Sequence, residues 1–339
     1  MVEDNTYELQ FILGGNYKFL LLLLGFNAAN ANYSCIYCTI KKDKRFDTTV
    51  PSEEYQIRQA RTLSSITACA ETRLLGVIHP PLLRIEMDQV VIDELHLMLR
   101  ISDVLIRNLI GIAQVYDIKK SAGARHLDSL VDSIKSCGVT FYTSLHGADK
   151  KTLLRQLPTK LTEIIPDDLG RQLMKHWTDF NDIYHLIGTA NPTDQDKKAI
   201  EEKALQWIQD FIKFPFDGLK KANVTPYMHI MAYHVPLLMR RHKGIKRFTG
   251  QGVEKNNDLA KKLYFSSNHQ DAARDILLTE GHIEELQQGS KRQKRRYNKK
   301  DNEYWQDDIR QKRRKQSLLE AEDNLDKTNE GAEDTDEEP

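Results

Sequence analysis

Apolar positions in this chain fall into segments whose spacing predicts most of its elements. Tyr7–Leu13 partly alternates and predicts a strand closed by Gly14-Gly15. The following run, YKFLLLLLGFN, is apolar almost throughout, and over so few residues periodicity does not separate a strand from a buried helix. Residues 27–34, rich in Asn and Ala, predict a loop, and the polar stretch 41–56 predicts irregular chain. Glu54–Arg73 predicts a helix, His79-Pro80-Pro81 a break, and Leu82–Val91 leans towards strand. Asp93–Tyr116 carries apolar residues at helical spacing and predicts a long core helix. Further helices are predicted over 127–136, 167–187 and 195–214, the last closed by Phe214-Pro215. The sequence has no internal repeat and no dense run of strands, so the expected class is α/β but mainly helical.

Composition changes that picture only at the C-terminus. Of 339 residues, 40% are hydrophobic, enough for a core once the tail is set aside, and 49 basic residues balance 49 acidic ones. The balance hides a block structure: SKRQKRRYNKK from Ser290, RQKRRK from Arg310, then a run dominated by Asp and Glu over 317–339. Such blocks bury little, so a folded unit over 1–288 and a disordered tail over 289–339, basic then acidic, are expected. Lys291, Arg292, Lys294, Arg295, Arg296, Lys299, Lys300, Arg310, Lys312, Arg313, Arg314 and Lys315 are the candidate nucleic-acid contacts. Cations packed this closely suit phosphate binding, nuclear import, or both, against the alternative of a merely solvated tail. The apolar run Phe19–Leu24 is too short to cross a bilayer, so no membrane partner is expected. The start MVEDNTYELQ lacks a basic signal-peptide head. Four cysteines in a chain this long make no disulfide framework, which points to an intracellular protein.

Three places carry candidate chemistry. Cys35-Ile36-Tyr37-Cys38 offers one short-range pair of soft ligands, and His229 and His234 offer a second, the arrangement a tetrahedral zinc ion takes. Five residues around an ideal helix set two side chains roughly 140° apart. Pro236, by clashing with the carbonyl four residues back, should bend or end the helix near Ala232 and swing His234 towards His229. The competing reading is two buried thiols and two ordinary histidines. Glu254 follows the glycine-framed turn Thr249-Gly250-Gln251-Gly252-Val253 and opens a helix through Leu263. There the macrodipole keeps it ionised, whether as a metal ligand or only as a good first-turn residue. Asp93 and His96 open the long helix, Asp93 as an N-cap or a catalytic carboxylate, His96 as a core histidine or, less favoured, a catalytic one.

Taken in order, YSCIYC at 33–38, IEMDQVVIDELH at 85–96 and YMHIMAYHVPLLMRRHKGIKRFTGQGVEKNN at 227–257 resemble the C-terminal half of the V(D)J recombinase catalytic subunit. They likewise resemble the related Transib-type DNA transposases. The resemblance frames residues 5–270 and is loose over the central helices. It implies an RNase H-like core of the DDE transposase kind, partial here, interrupted by a helical insertion. It implies that Cys35, Cys38, His229 and His234 bind a structural Zn²⁺, that DNA is a partner with weak sequence preference, and that the protein is nuclear and homodimeric. Glu254 falls on the family's third metal-binding carboxylate, whereas the second, nineteen residues before the first Cys, falls on Asn16. The first Asp belongs to an earlier strand that this sequence does not contain. Two Mg²⁺ ions need anionic oxygens, so the expectation is a transposase-derived, catalytically inert zinc and DNA-binding protein, with Mg²⁺ only where the active site is completed from elsewhere. The alternatives are an active transposase completed by a missing segment or second chain, and a nuclear protein-interaction scaffold.

Overall fold

The computed structural model describes residues 10–118, 120–121, 125–139, 145–266 and 271–288. The chain divides into two compact units, 1–259 and 260–339. The first unit opens with β1 (Leu13–Gly15) and α1 (Tyr17–Leu23), followed by a long loop, α2 (Ser52–Ile57) and α3 (Leu63–Thr72). A second short strand, β2 (Val90–Ile92), runs directly into α4 (Glu94–Asp117). Then come α5 (His126–Ser136), α6 (Gly147–Gln156), α7 (Leu161–Ile164), α8 (Asp167–Ile187) and α9 (Asp194–Phe211). The unit closes with α10 (Pro226–Tyr233), α11 (Val235–His242) and the start of α12 (Gln251–Ser266). The second unit takes the remainder of α12 and α13 (Ala272–Gln288), the last described element. The sheet among the described residues is the parallel pair β1–β2, with Leu13 opposite Val90 and Gly15 opposite Ile92.

The mainly helical class is therefore present, and the long periodic segments are helices where their apolar spacing puts them. Leu95, Met98, Ile101, Leu105, Leu109 and Ile112 form one buried stripe along α4, which packs against α5, α6, α8 and α10. Short segments depart from expectation. The predicted strand over 7–13 begins only at Leu13 and continues through Gly14-Gly15, while residues 7–9 lie outside those described. Gly14 suits a strand here because a Cβ would meet the Phe248 carbonyl oxygen at 3.1 Å, so the backbone ahead of α12 can approach. The ambiguous run after it is helix, capped by the Asn16 side chain accepting from the Phe19 amide. Just past the helix end, Gly25 has a φ of +77°, and a Cβ there would lie 1.9 Å from the His79 carbonyl oxygen, which excludes any side chain. The single helix expected over Glu54–Arg73 is two, because Thr62 forms a capping box with Ser65 and starts α3 afresh. Part of the stretch 41–56, expected to be irregular, is helical, and of the strand expected over 82–91 only its end pairs. Among the described residues no helix is long and apolar enough to cross a membrane.

Candidate metal centre

The Cys35–Cys38 turn lies in the loop after α1 and is fixed from both sides. Tyr17 donates to the Ser34 carbonyl, and the Ser34 hydroxyl donates to the Ala29 carbonyl at 2.9 Å. Arg61 does more. Its Nε donates to the carbonyls of both Cys35 (2.9 Å) and Cys38 (3.0 Å), and its Nη2 to Leu75 (2.7 Å). The guanidinium also sits 4.7 Å from the Phe26 ring centroid. An antiparallel bridge between Cys38 and Ala60 completes the clamp.

The histidines arrive on the paired helices α10 and α11. Pro236 occupies the first turn of α11, and the chain breaks at His234, which ends one helix and begins the next with φ −108° and ψ −32°. The break brings the His229 and His234 rings to 5.1 Å between centroids. Cys38 Sγ then lies 3.2 Å from His229 Nε2 and 3.3 Å from His234 Nε2, and Cys35 Sγ lies 3.5 Å from His234 Nε2. All four donor atoms fall within 4.8 Å of one another, and all four residues are buried. Tyr55 stands edge-on to His229 and Tyr37 tilts against His234, so the surroundings are aromatic. Burial pushes the Cys38 thiol up, and the neighbouring Cys35 adds to it. Burial opposes ionisation of Cys35 too, but hydrogen bonds and charge from Cys38, His234 and His229 outweigh it and hold that thiol low. Burial lowers His229. The two thiols are thus pushed in opposite directions, and a cation at the centre would favour both thiolates. These four residues form a buried Cys2His2 cluster able to hold a metal ion.

A second group gathers where the two strands end. The Asp93 amide donates to the Gly15 carbonyl at 3.0 Å, which places Asp93 beside Asn16 across the sheet. The Asp93 carboxylate is buried and accepts from the Leu95 amide, from His96 Nδ1 and from the Thr249 hydroxyl at 3.1 Å. Burial pushes this carboxyl up, but the hydrogen bond and charge of His96, with Leu95 and Thr249, hold it below the ordinary range. Glu94 next to it goes the other way, raised by burial and by the Asp93 charge. Its Oε2 has no hydrogen-bond partner among the described residues. Asp93 is both an N-cap and the centre of a polar cluster, and His96 is its partner. Asn16 caps α1.

No family model matches the chain, and no curated protein matches it. Of the sequence-predicted residues, the four candidate metal ligands converge, and Asn16, Asp93 and His96 share the strand-end region. Glu254 stands in the first turn of α12, but its side chain lies outside the described residues, as do all the basic residues over 291–315. Arg61 is the functional residue that the sequence did not flag. Nothing in its spacing, twenty-three residues past Cys38, distinguishes it from a surface arginine.

Proposed function

We propose that this chain is a transposase-derived, DNA-binding protein with a structural zinc ion and no phosphodiester-cleaving activity of its own. The donor set supports zinc: two thiols and two imidazoles are the ligands of closed, four-coordinate structural sites. Around Zn²⁺, with bonds of about 2.3 Å to sulfur and about 2.0–2.1 Å to nitrogen, a tetrahedron has sulfur–nitrogen edges of about 3.6 Å. The three Sγ–Nε2 separations of 3.2–3.5 Å are close to that edge. When bound, the ion would supply no chemistry beyond fixing its four ligands, since no open position is left for water.

The observation that carries the functional reading is the pairing at the strand ends. Asn16 and Asp93 follow adjacent parallel strands, and Thr249, just ahead of α12, bonds to Asp93. The order of strand, cysteine pair, strand, helices, histidine pair and glutamate-bearing helix is the one the resemblance to Transib-type transposases leads us to expect. Within that reading Asn16 supplies a neutral amide where two-metal phosphoryl transfer needs a carboxylate. DNA affinity would come chiefly from the cations over 291–315, and a nuclear location follows from the same residues.

The test is a nicking assay on the zinc-loaded full chain with Mg²⁺ or Mn²⁺, alongside DNA binding across a salt series. The expected result is salt-sensitive binding without cleavage. Cleavage that disappears in Glu254→Gln would overturn the inert reading and favour an active transposase. Loss of all DNA binding on deleting 289–339, with a protein partner still captured by the folded part, would favour an interaction scaffold.

A further inference from the structure

A cleft of about 330 Å³ opens between the loop segments on either side of the cysteine pair, one face of α4 and the start of α10. Lys42, Arg45, Arg100 and Arg107 all line it, against the single carboxylate of Asp103. That carboxylate is already engaged, by Lys150 and by Arg100 at 3.5 Å. Lys42 and Arg107 are exposed and form no ion pair among the described residues. The cleft therefore carries an excess of positive charge that the described protein does not neutralise.

Arg45 gives this patch the character of a built site. It is only 2% exposed, and its Nη2 donates to the Ala31 carbonyl (3.2 Å) and the Ser34 hydroxyl (2.7 Å). Its Nε is buried without a hydrogen-bond partner. A buried guanidinium only partly satisfied in this way is costly, burial weighs against its charge, and an anion in the adjoining cleft would offset that cost electrostatically. The first turn of α10, capped by Thr225, also faces the cleft, and a helix start adds partial positive charge.

We infer that this cleft binds a phosphate group, held by Lys42, Arg100 and Arg107 beside the start of α10, with the buried Arg45 charge beneath it. Guanidinium groups match the oxygen geometry of a phosphate, and the cleft's size, at the low end of ligand sites, suits a phosphate with its ester arm. The phosphate could be one link of a nucleic-acid backbone or a free phosphate compound. The first source rests on the DNA-binding reading above. The anion site does not.

The experiment uses the zinc-loaded full chain and inorganic phosphate, with chloride at matched ionic strength as the reference. Phosphate should raise the melting temperature saturably, by about 3–5 °C at ten times its dissociation constant. The double variant Lys42→Gln/Arg107→Gln changes two exposed side chains, so it should keep its zinc and its phosphate-free melting temperature. Its phosphate affinity should fall at least about tenfold. With a short DNA duplex as the second probe, a backbone source predicts that this variant binds more weakly. Its slope of log affinity against log salt should then be shallower by about 1–2. Unchanged duplex binding with phosphate binding lost assigns the site to a free phosphate compound. Duplex binding absent altogether, with phosphate still bound, overturns the function proposed above and leaves this site standing. No stabilisation by phosphate beyond chloride, or equal stabilisation of the variant, overturns the site itself.

Discussion

Asp93 and Glu94 are neighbours in sequence, both buried, and their environments push them in opposite directions. Asp93 has donors on several sides, so its folded-state pKa lies below the unfolded value of 3.8. Its contribution to stability is present above that value and is lost as pH falls through the lower, folded one. Asp93→Asn should therefore destabilise the fold at pH 7 by about 1–3 kcal/mol, through loss of charged acceptance from His96, Leu95 and Thr249. Glu94 has a raised pKa, so the folded state pays for its ionised form at high pH and pays nothing below the unfolded value of 4.5. Glu94→Gln should stabilise the protein by about 1 kcal/mol at pH 8, and the gain should vanish by pH 4. Urea melts of the two variants across that range check both signs. A Glu94→Gln gain that grows on acidification would contradict the assignment.

At the scale of elements, α8 and α9 pack through a ring layer that includes an unusual member. His176 stacks on Trp207 at 4.4 Å with an 8° interplanar angle, and the Trp207 indole donates to the His176 carbonyl at 2.9 Å. Neither ring nitrogen of His176 has a partner among the described residues, and burial pushes its pKa down to about 3. The unfolded chain binds a proton near 6.5 that the folded chain refuses, so stability rises with pH between about 3 and 6.5. His176→Phe should remove one proton's worth of that slope while leaving stability at pH 8 equal or higher, as measured by denaturant melts at pH 4.5, 6 and 8. An unchanged slope would mean that the imidazole is hydrated or paired in solution. Helices of this length were legible in the sequence because their apolar stripes run for several turns. By contrast, α6 and α7 were missed, being one to three turns long with only two or three buried positions each. The split between α2 and α3 turned on one capping box, and the position of β1 on a glycine pair more often found in turns. The Cys2His2 cluster was legible as residue types, and Pro236 gave the reason for its two histidines to converge. Arg61 and Arg45 were not legible, because what distinguishes them is the set of acceptors, mostly carbonyls, that the fold brings to them.

For the whole first unit, a metal ion bound at the Cys2His2 cluster would tie its beginning to its end. Cys35 and His234 are 199 residues apart, and the chain between them contains α2 through α10. Closing a loop of that length by a cross-link is worth on the order of 5 kcal/mol in chain entropy. Binding a zinc ion at a structural site is worth about 10–16 kcal/mol at neutral pH. A domain's total stability is only about 5–15 kcal/mol, so with zinc bound there the unit would have little margin once the ion is removed. The β1–β2 pair is three residues long on each side and does not substitute for it. Removing the metal should therefore unfold the first unit cooperatively, including α4 and α8, which lie far along the chain from the ligands. Hydrogen exchange would then show protection lost in those helices together with the cysteine loop, while Cys35→Ser and His234→Ala each reproduce the effect without chelator. A chelated, metal-free protein that keeps its thermal transition and its α4 and α8 protection would show that the four residues are a packed core cluster. In that case the tie would reside in the Arg61 clamp and the α4–α10 packing alone.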